Sequence, residues 1–453
     1  MRALAALLIL AAGLEAGCSS RPHSNPFDPA NPATGGKPAG FQALAGDGHV
    51  TLRWQTAQAP GLLGYQAYRS LSATTGFTVL SGVLPVATDS FPDRGLLNGT
   101  DHYYRLYYVF DRGLGSLYAS DVATPGPVTP WVSDPGFPAL LRVTADGRHI
   151  AEGLPGAVAL TSGAVAVDAM SGAVWTCDPD QGGVTDYQPT DGSLVHLLGP
   201  PSVPVAVAVD TVSHDAWIGD DNSGIVARYT ATGSPAGSVQ GLLDSPIGLA
   251  VDPNSRSVWI CERTGSRVSH ADVNGVRLAP AYVINPSRVA VDAATGDAWV
   301  TCFTRSLIVH VTAAGVRSDS VASLAGPLGI AVDAARGRIW VTDPSLDLVA
   351  ALRRDGSTEF QVRSIPGAFG VAVDPATGEA WVTSEAASAL LRISPAGAIL
   401  RVLGGLGTPA DIALDPGSGA VPRPAVPPAG ALPQRTTTIR VPAARPAWET
   451  WRK

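Results

Sequence analysis

The stretch IGLAVDPNSRSVWICERTGSRVSHADVNG, residues 247–275, decides the fold because it recurs. Aliphatic residues alternate up to Asp252, a short polar turn follows, and Trp259 stands seven residues after the aspartate on a second alternating run. Both runs carry the period of two that turns one face of a strand inward, and DPNSRS between them has hairpin-closing chemistry. The same aspartate falls at 168, 210, 252, 292, 333, 374 and 415, in steps of 40 to 42 residues. Trp175, Trp217, Trp259, Trp299, Trp340 and Trp381 follow the first six at the same interval of seven. A glycine turn comes about sixteen residues later, as at Asp191-Gly192, Asn274-Gly275 and Asp355-Gly356.

About 41 residues holding four short strands is the length of one β-propeller blade. An alanine sits two places before each aspartate (Ala166, Ala208, Ala250, Ala290, Ala331, Ala372, Ala413), as an innermost strand crowded round an axis requires. The indole then fills the widening space between blades with one large apolar surface. Asp415 lacks its tryptophan, since position 422 is Pro422, whereas a tryptophan strand with Trp131 opens the series without a partner. The expectation is therefore that the Asp415 strand joins the Trp131 strand, giving seven blades closed by both ends and leaving no open edge. Over residues 128–421 the repeats resemble NHL-like and YVTN-like seven-bladed propellers.

Outward from the repeats, composition agrees. The 453 residues are 45% hydrophobic and 15% charged, with 50 glycines and 38 prolines, which favours short strands and tight turns over long helices. A net charge of -7, with lysine only at Lys37 and Lys453, argues against nucleic-acid binding, which needs clustered positive charge.

At the start, Arg2 and the apolar run Ala3 to Leu14 read as a signal peptide over 1–17. LEAGCSS resembles a bacterial lipoprotein cleavage site with Cys18 as the acylated residue; it departs from that family's pattern in having Glu15 where an aliphatic residue is preferred. The resemblance implies a membrane lipid anchor, and Ser19 implies the outer membrane, facing periplasm or cell surface; simple secretion is the alternative. Residues 18–37 read as a flexible linker. Residues 38–127 read as short alternating strands: HVTLRW sets Val50, Leu52 and Trp54 on one face, and HYYRLYYVF is a long aromatic strand. This segment resembles a fibronectin type III domain, an immunoglobulin-like β-sandwich, and the resemblance implies that the Tyr103 hydroxyl fixes a strand crossover. The fold class is thus all-β, a sandwich plus a propeller. After Val421 the period stops. Residues 422–453 hold seven prolines and six basic residues against one acidic, and read as a disordered tail, native or produced by a reading-frame shift.

No nucleophile elbow, phosphate loop or zinc motif occurs in the sequence. Cys177, Cys261 and Cys302 lie on tryptophan strands of different repeats and read as buried fillers. An acidic series, Asp134, Asp178, Asp220, Glu262 and Asp343, ends those strands. It reads either as a ring at a channel mouth, able to hold a polar ligand or a Ca²⁺ or Mg²⁺ ion, or as turn-starting residues bonded to their own backbone. Four places before each repeat aspartate stand Ala164, Ala206, Gly248, Arg288, Gly329, Gly370 and Asp411, where Arg288 and Asp411 break the small-residue rule and are candidate channel ligands. Two functions follow. The first is an envelope binding scaffold whose propeller face holds a protein, peptide or glycan. The second, implied by the resemblance of the fold to gluconolactonase-like hydrolases and virginiamycin lyases, is an enzyme with a divalent metal at the channel mouth.

Overall fold

The computed structural model describes residues 24–155, 163–188, 192–198, 202–320 and 324–417. The signal peptide, Cys18 and the tail after Val421 lie outside the described residues. Apart from one short 3₁₀ turn at Phe303–Arg305, the regular elements among the described residues are strands.

The chain divides into two compact units. One draws on Met1–Gln42, Arg53–Phe91 and His102–Val122. Its sheet is built on Leu62–Ser70 and His102–Phe110, paired antiparallel, with Gly113–Ala123 beyond and two short strands on the other edge. Alternation along His102–Phe110 buries Tyr104, Leu106 and Tyr108. Trp54 packs on Tyr65 at 5.3 Å and Phe27 meets Tyr108 edge-on at 4.6 Å, so aromatic area supplies this core. Tyr103 falls on the opposite, half-buried face; period-two geometry gives the core position to Tyr104 instead. In this unit the Tyr65 hydroxyl accepts from the Ala57 N–H at 2.6 Å and the Tyr108 hydroxyl donates to the Lys37 carbonyl at 3.3 Å.

The other unit contains Ala123–Lys453 together with Ala43–Leu52 and Pro92–Asp101. Its described residues from Thr129 onward form a β-propeller, while Gln42–Gly46, His49–Arg53 and Ser90–Arg94 make a separate three-stranded sheet. Seven four-stranded antiparallel sheets occur among the described residues. Six are consecutive in sequence. The seventh runs Ile150–Pro155, Ala139–Val143, Thr129–Asp134 and then Ile412–Asp415, so its inner strand comes from the far end of the chain. Ala413 sits opposite Trp131 there, as Ala166 does opposite Trp175 and Ala250 opposite Trp259.

Each indole packs outward onto the next sheet. Trp131 lies with Val165 and Val174, Trp175 with Val207 and Ile218, Trp217 with Val258 and Ile260, and Trp259 with Val289 and Val300. Trp299 lies with Ile339 and Val341, Trp340 with Val371 and Val382, and Trp381 returns to Val132 and Ile412. The cores therefore form a cycle. All seven indoles are buried, and burying one such side chain is worth about 3 kcal/mol or more by transfer area.

Close approach at the inner strands explains their small residues. A Cβ on Gly248, Gly329 or Gly370 would come within 2.8, 2.3 and 2.6 Å of the carbonyl oxygens of Ser287, Phe369 and Ala410, each on the neighbouring sheet. Threonine hydroxyls stitch the same seam: Thr301, Thr342 and Thr383 donate to Leu328, Phe369 and Ala410 carbonyls at 2.8, 2.6 and 2.5 Å.

Candidate functional site

Arg288 and Asp411 break the small-residue rule together. They stand at equivalent inner-strand places separated by two sheets in one direction and three in the other, yet the Arg288 Nη1 and Asp411 Oδ2 atoms meet at 3.1 Å. The pair therefore spans the axis. Asp411 also accepts from the Val165 N–H at 3.2 Å, and its backbone N–H donates to the Ser133 hydroxyl at 2.9 Å. Both side chains keep partial exposure, 22% and 14%, so solvent reaches the pair.

Cys177, Cys261 and Cys302 are buried. Burial, and then the Asp411 carboxylate, push the Cys177 thiol up; burial likewise raises Cys261, against the pull of Arg288. Such thiols stay protonated and make poor nucleophiles.

The acidic series is engaged by backbone. Asp134 takes the N–H groups of Gly136, Gly407 and Thr408 at 3.1, 2.7 and 2.8 Å, and Asp343 those of Ala325, Gly326, Ser345 and Leu346. Asp220 takes Ser202, Val203, Asn222 and Ser223. In each case one carboxylate clasps both the turn after its own strand and the backbone leading into the inner strand of the same sheet. Glu262 accepts from the Asp244 N–H at 2.8 Å, from Arg267 at 2.7 Å, and from Arg277 and Ser269. Asp178 accepts from the Gln181 N–H at 2.8 Å. Cys302 occupies the corresponding place in its sheet, opposite Leu307. Burial raises the Asp134 carboxyl despite these N–H donors. At Asp220 and Glu262 burial pushes the same way, but the donors outweigh it and hold both carboxyls below their ordinary range. No group of three or more His, Cys, Asp or Glu side chains suited to a metal occurs among the described residues.

The repeat aspartates carry a second pattern. Each begins the turn after the inner strand, as Asp252 does by accepting from the Asn254 N–H at 3.0 Å and the Ser255 hydroxyl at 2.5 Å. Most also face a cation. Asp168 meets His214 at 2.6 Å and Asp210 meets Arg256 at 2.7 Å, both reaching back from the next sheet. Asp292 meets Arg354 at 2.5 Å, Asp333 meets Arg336 at 3.3 Å and Asp415 meets Arg142 at 3.5 Å. Asp252 and Asp374 face no arginine or lysine among the described residues, their carboxylates accepting from Asn254 and Ser255 and from Ala376 and Thr377. The turn position of His214 and Arg256 is Gly296 in the next sheet, and the counterpart of Arg354 is Ala313.

With both small, a cavity of about 430 Å³ opens there, lined by Asp252, Ser255, Ser257, His270, Gly296 and Ala313 among others. His270 stacks on Trp259 at 3.9 Å and bonds the Ser257 hydroxyl at 2.6 Å, which continues through Ser255 to Asp252. Burial holds the imidazole below its ordinary range, against the pull of Asp252. This cavity is not among the candidates raised from the sequence. Its signal in the sequence is the pairing of Gly296 with Ala313, small residues at the two places from which His214, Arg256 and Arg354 reach the aspartate of a neighbouring sheet.

No family model matches the chain, and no curated protein matches it. Among solved structures it is similar to virginiamycin B lyase from Staphylococcus aureus, at 16% identity over 54% of this chain and 84% of that one, with a TM-score of 0.48. A streptogramin B lyase structure gives 13% identity over 55% and 86%, TM-score 0.49. A nidogen/laminin complex gives 17% over 56% and 98%, TM-score 0.43. The propeller assignment rests on the sheets and cores described above.

Proposed function

We propose that the chain is an exported bacterial lipoprotein, held to the outer membrane through Cys18, whose seven-bladed propeller is a binding scaffold for a protein, peptide or glycan in the cell envelope. The fibronectin type III-like segment acts as a spacer. A propeller alone leaves binding and hydrolase or lyase chemistry both open, because function belongs to sites and not to folds. What supports the binding reading is the cavity between the Asp252 and Gly296 turns. It combines a buried carboxylate, hydroxyls and an imidazole with the apolar wall of Leu278, which is 45% exposed. Ligand sites are commonly concave, mostly apolar and furnished with a few placed polar groups.

The test is capture from envelope extracts with the full chain as bait. A partner retained after salt washing supports the reading, and repeated failure to retain one sinks it. Palmitate labelling that disappears in Cys18→Ser tests the anchor, and label that persists in that variant overturns it.

A further inference from the structure

We infer that the cavity at Asp252 is a recognition site for an arginine side chain presented by a peptide segment of a partner protein. The inference rests on the binding-scaffold reading and names the chemistry of its partner. Its argument comes from the molecule's own repeats.

Three neighbouring seats of the same design are filled from within the chain. Asp210 receives the Arg256 guanidinium through Nε at 2.8 Å and Nη2 at 2.7 Å. Asp292 receives Arg354 through Nε at 2.5 Å and Nη2 at 3.0 Å, while that Nη2 also donates to the Ala334 carbonyl at 2.8 Å. Asp333 receives Arg336, which continues to the Pro375 and Ala376 carbonyls on the next sheet at 3.5 and 3.0 Å. A guanidinium thus sits on these three of the seven repeat aspartates, and at Asp292 and Asp333 it also reaches a turn carbonyl. The seat suits that group because a planar fork of donors matches a carboxylate in two places.

The seat between Asp210 and Asp292 in the series keeps the acceptors and omits the cation. Asp252 presents its carboxylate, and the Ala293 carbonyl, at the corresponding place, accepts from Asn254 Nδ2 at 2.5 Å. A Cβ placed on Gly296 would lie 3.4 Å from Asp252 Oδ2 and 3.4 Å from the Ala313 Cβ, so these two residues border the carboxylate directly. Asp252 is 5% exposed, against 1 to 2% for Asp168, Asp210, Asp292 and Asp333. Asp272 also lines the cavity and adds negative charge. The volume of about 430 Å³ exceeds what one guanidinium fills, and Thr295, Ala313 and Leu278 offer a wall for the flanking peptide. An ammonium fits less well, since it cannot meet a carboxylate and a carbonyl in one plane.

The full mature chain would be titrated with N-acetyl-argininamide, Ac-Gly-Arg-Gly-amide, its citrulline counterpart and its lysine counterpart. Saturable binding of the arginine peptide is expected, tighter than the capped amino acid, several-fold tighter than the lysine peptide and undetectable for citrulline. Asp252→Asn should weaken it at least about tenfold, the scale of one charged hydrogen bond lost. Gly296→Arg copies Arg256 into the seat and should abolish it; that position has φ near 76°, but Arg256 already occupies its counterpart at 61°. If Gly296→Arg does not fold, Asp252→Asn decides alone.

Three outcomes overturn the proposal: no saturation of the wild type up to about 10 mM, well beyond the range of a millimolar site; binding unchanged in Asp252→Asn; or capped arginine binding more tightly than the peptide, which points to a free guanidinium compound. Capture of an envelope partner that survives Gly296→Arg sinks this site and leaves the scaffold reading standing.

Discussion

Arg288 and Asp411 form an ion pair at 3.1 Å from inner strands on opposite sides of the propeller axis. The contact joins parts of the ring that share no sheet, so it braces the structure in a direction the strand ladders do not. Being partly solvated, it contributes on the scale of exposed pairs, about 1 kcal/mol or less. Arg288→Ala, Asp411→Ala and the double variant, compared by denaturant unfolding, should give a coupling energy of that size. A coupling near zero would show that the two charges are merely neighbours.

Ring closure makes the opposite kind of prediction. Trp131 is fully buried against Val165 and Val174 and pairs with Ala413. Trp131→Ala removes that indole from the seam between two sheets and should cost about 3 to 5 kcal/mol. Ending the chain before Ile412 takes away the inner strand and bares the edge of Thr129–Asp134. Thermal unfolding should shift far down in both, with light scattering rising earlier in the truncated chain. A truncation that melts like the full chain would break the closure argument.

Much of this was open to sequence reasoning, for a physical reason. The repeat aspartate, the alanine before it and the tryptophan after it act within one hairpin, so their spacing is local and repeats with each sheet. Closure was also readable, because Asp415 and Trp131 each lack what the other has. What one chain position cannot announce is a contact made across the ring. Arg288 and Asp411 stood out as exceptions, but their pairing depends on the width of the axis. The acidic series mixes both cases. Bonds from Asp343 to Ser345 and Leu346 are turn chemistry, while those to Ala325 and Gly326 come from the chain leading into the inner strand. Gly296 is informative only against Arg256 and Arg354, whose side chains serve another sheet's aspartate.

Glu262 and Asp220 give a pH prediction. Their donors outweigh burial and depress both carboxyls in the folded state, so folding favours the ionised forms. That stability is present above the unfolded values, near 4.5 and 3.8, and is lost as pH falls through the lower folded values. Melting temperatures of wild type and Glu262→Gln should therefore differ most at neutral pH and converge below about pH 4. A gap that widens on acidification would reverse the assigned sign.

Arg256 sets two local effects against each other. It sits in the left-handed region at φ 61°, where its counterparts Gly172, Gly296, Gly337 and Gly378 carry no side-chain penalty. Arg256→Gly relieves a strain of about 1 kcal/mol. It also removes the guanidinium that, with the Val212 N–H and the Ser213 hydroxyl, holds the Asp210 carboxyl low against its burial. Leaving that buried carboxylate short of a charged hydrogen-bond partner costs more than the strain saved. The variant should be less stable at neutral pH, with the loss shrinking at low pH as Asp210 protonates. If Arg256→Gly is instead more stable at neutral pH, the cation at this turn is dispensable. The reasoning that makes Asp252 hungry for an arginine then loses its footing.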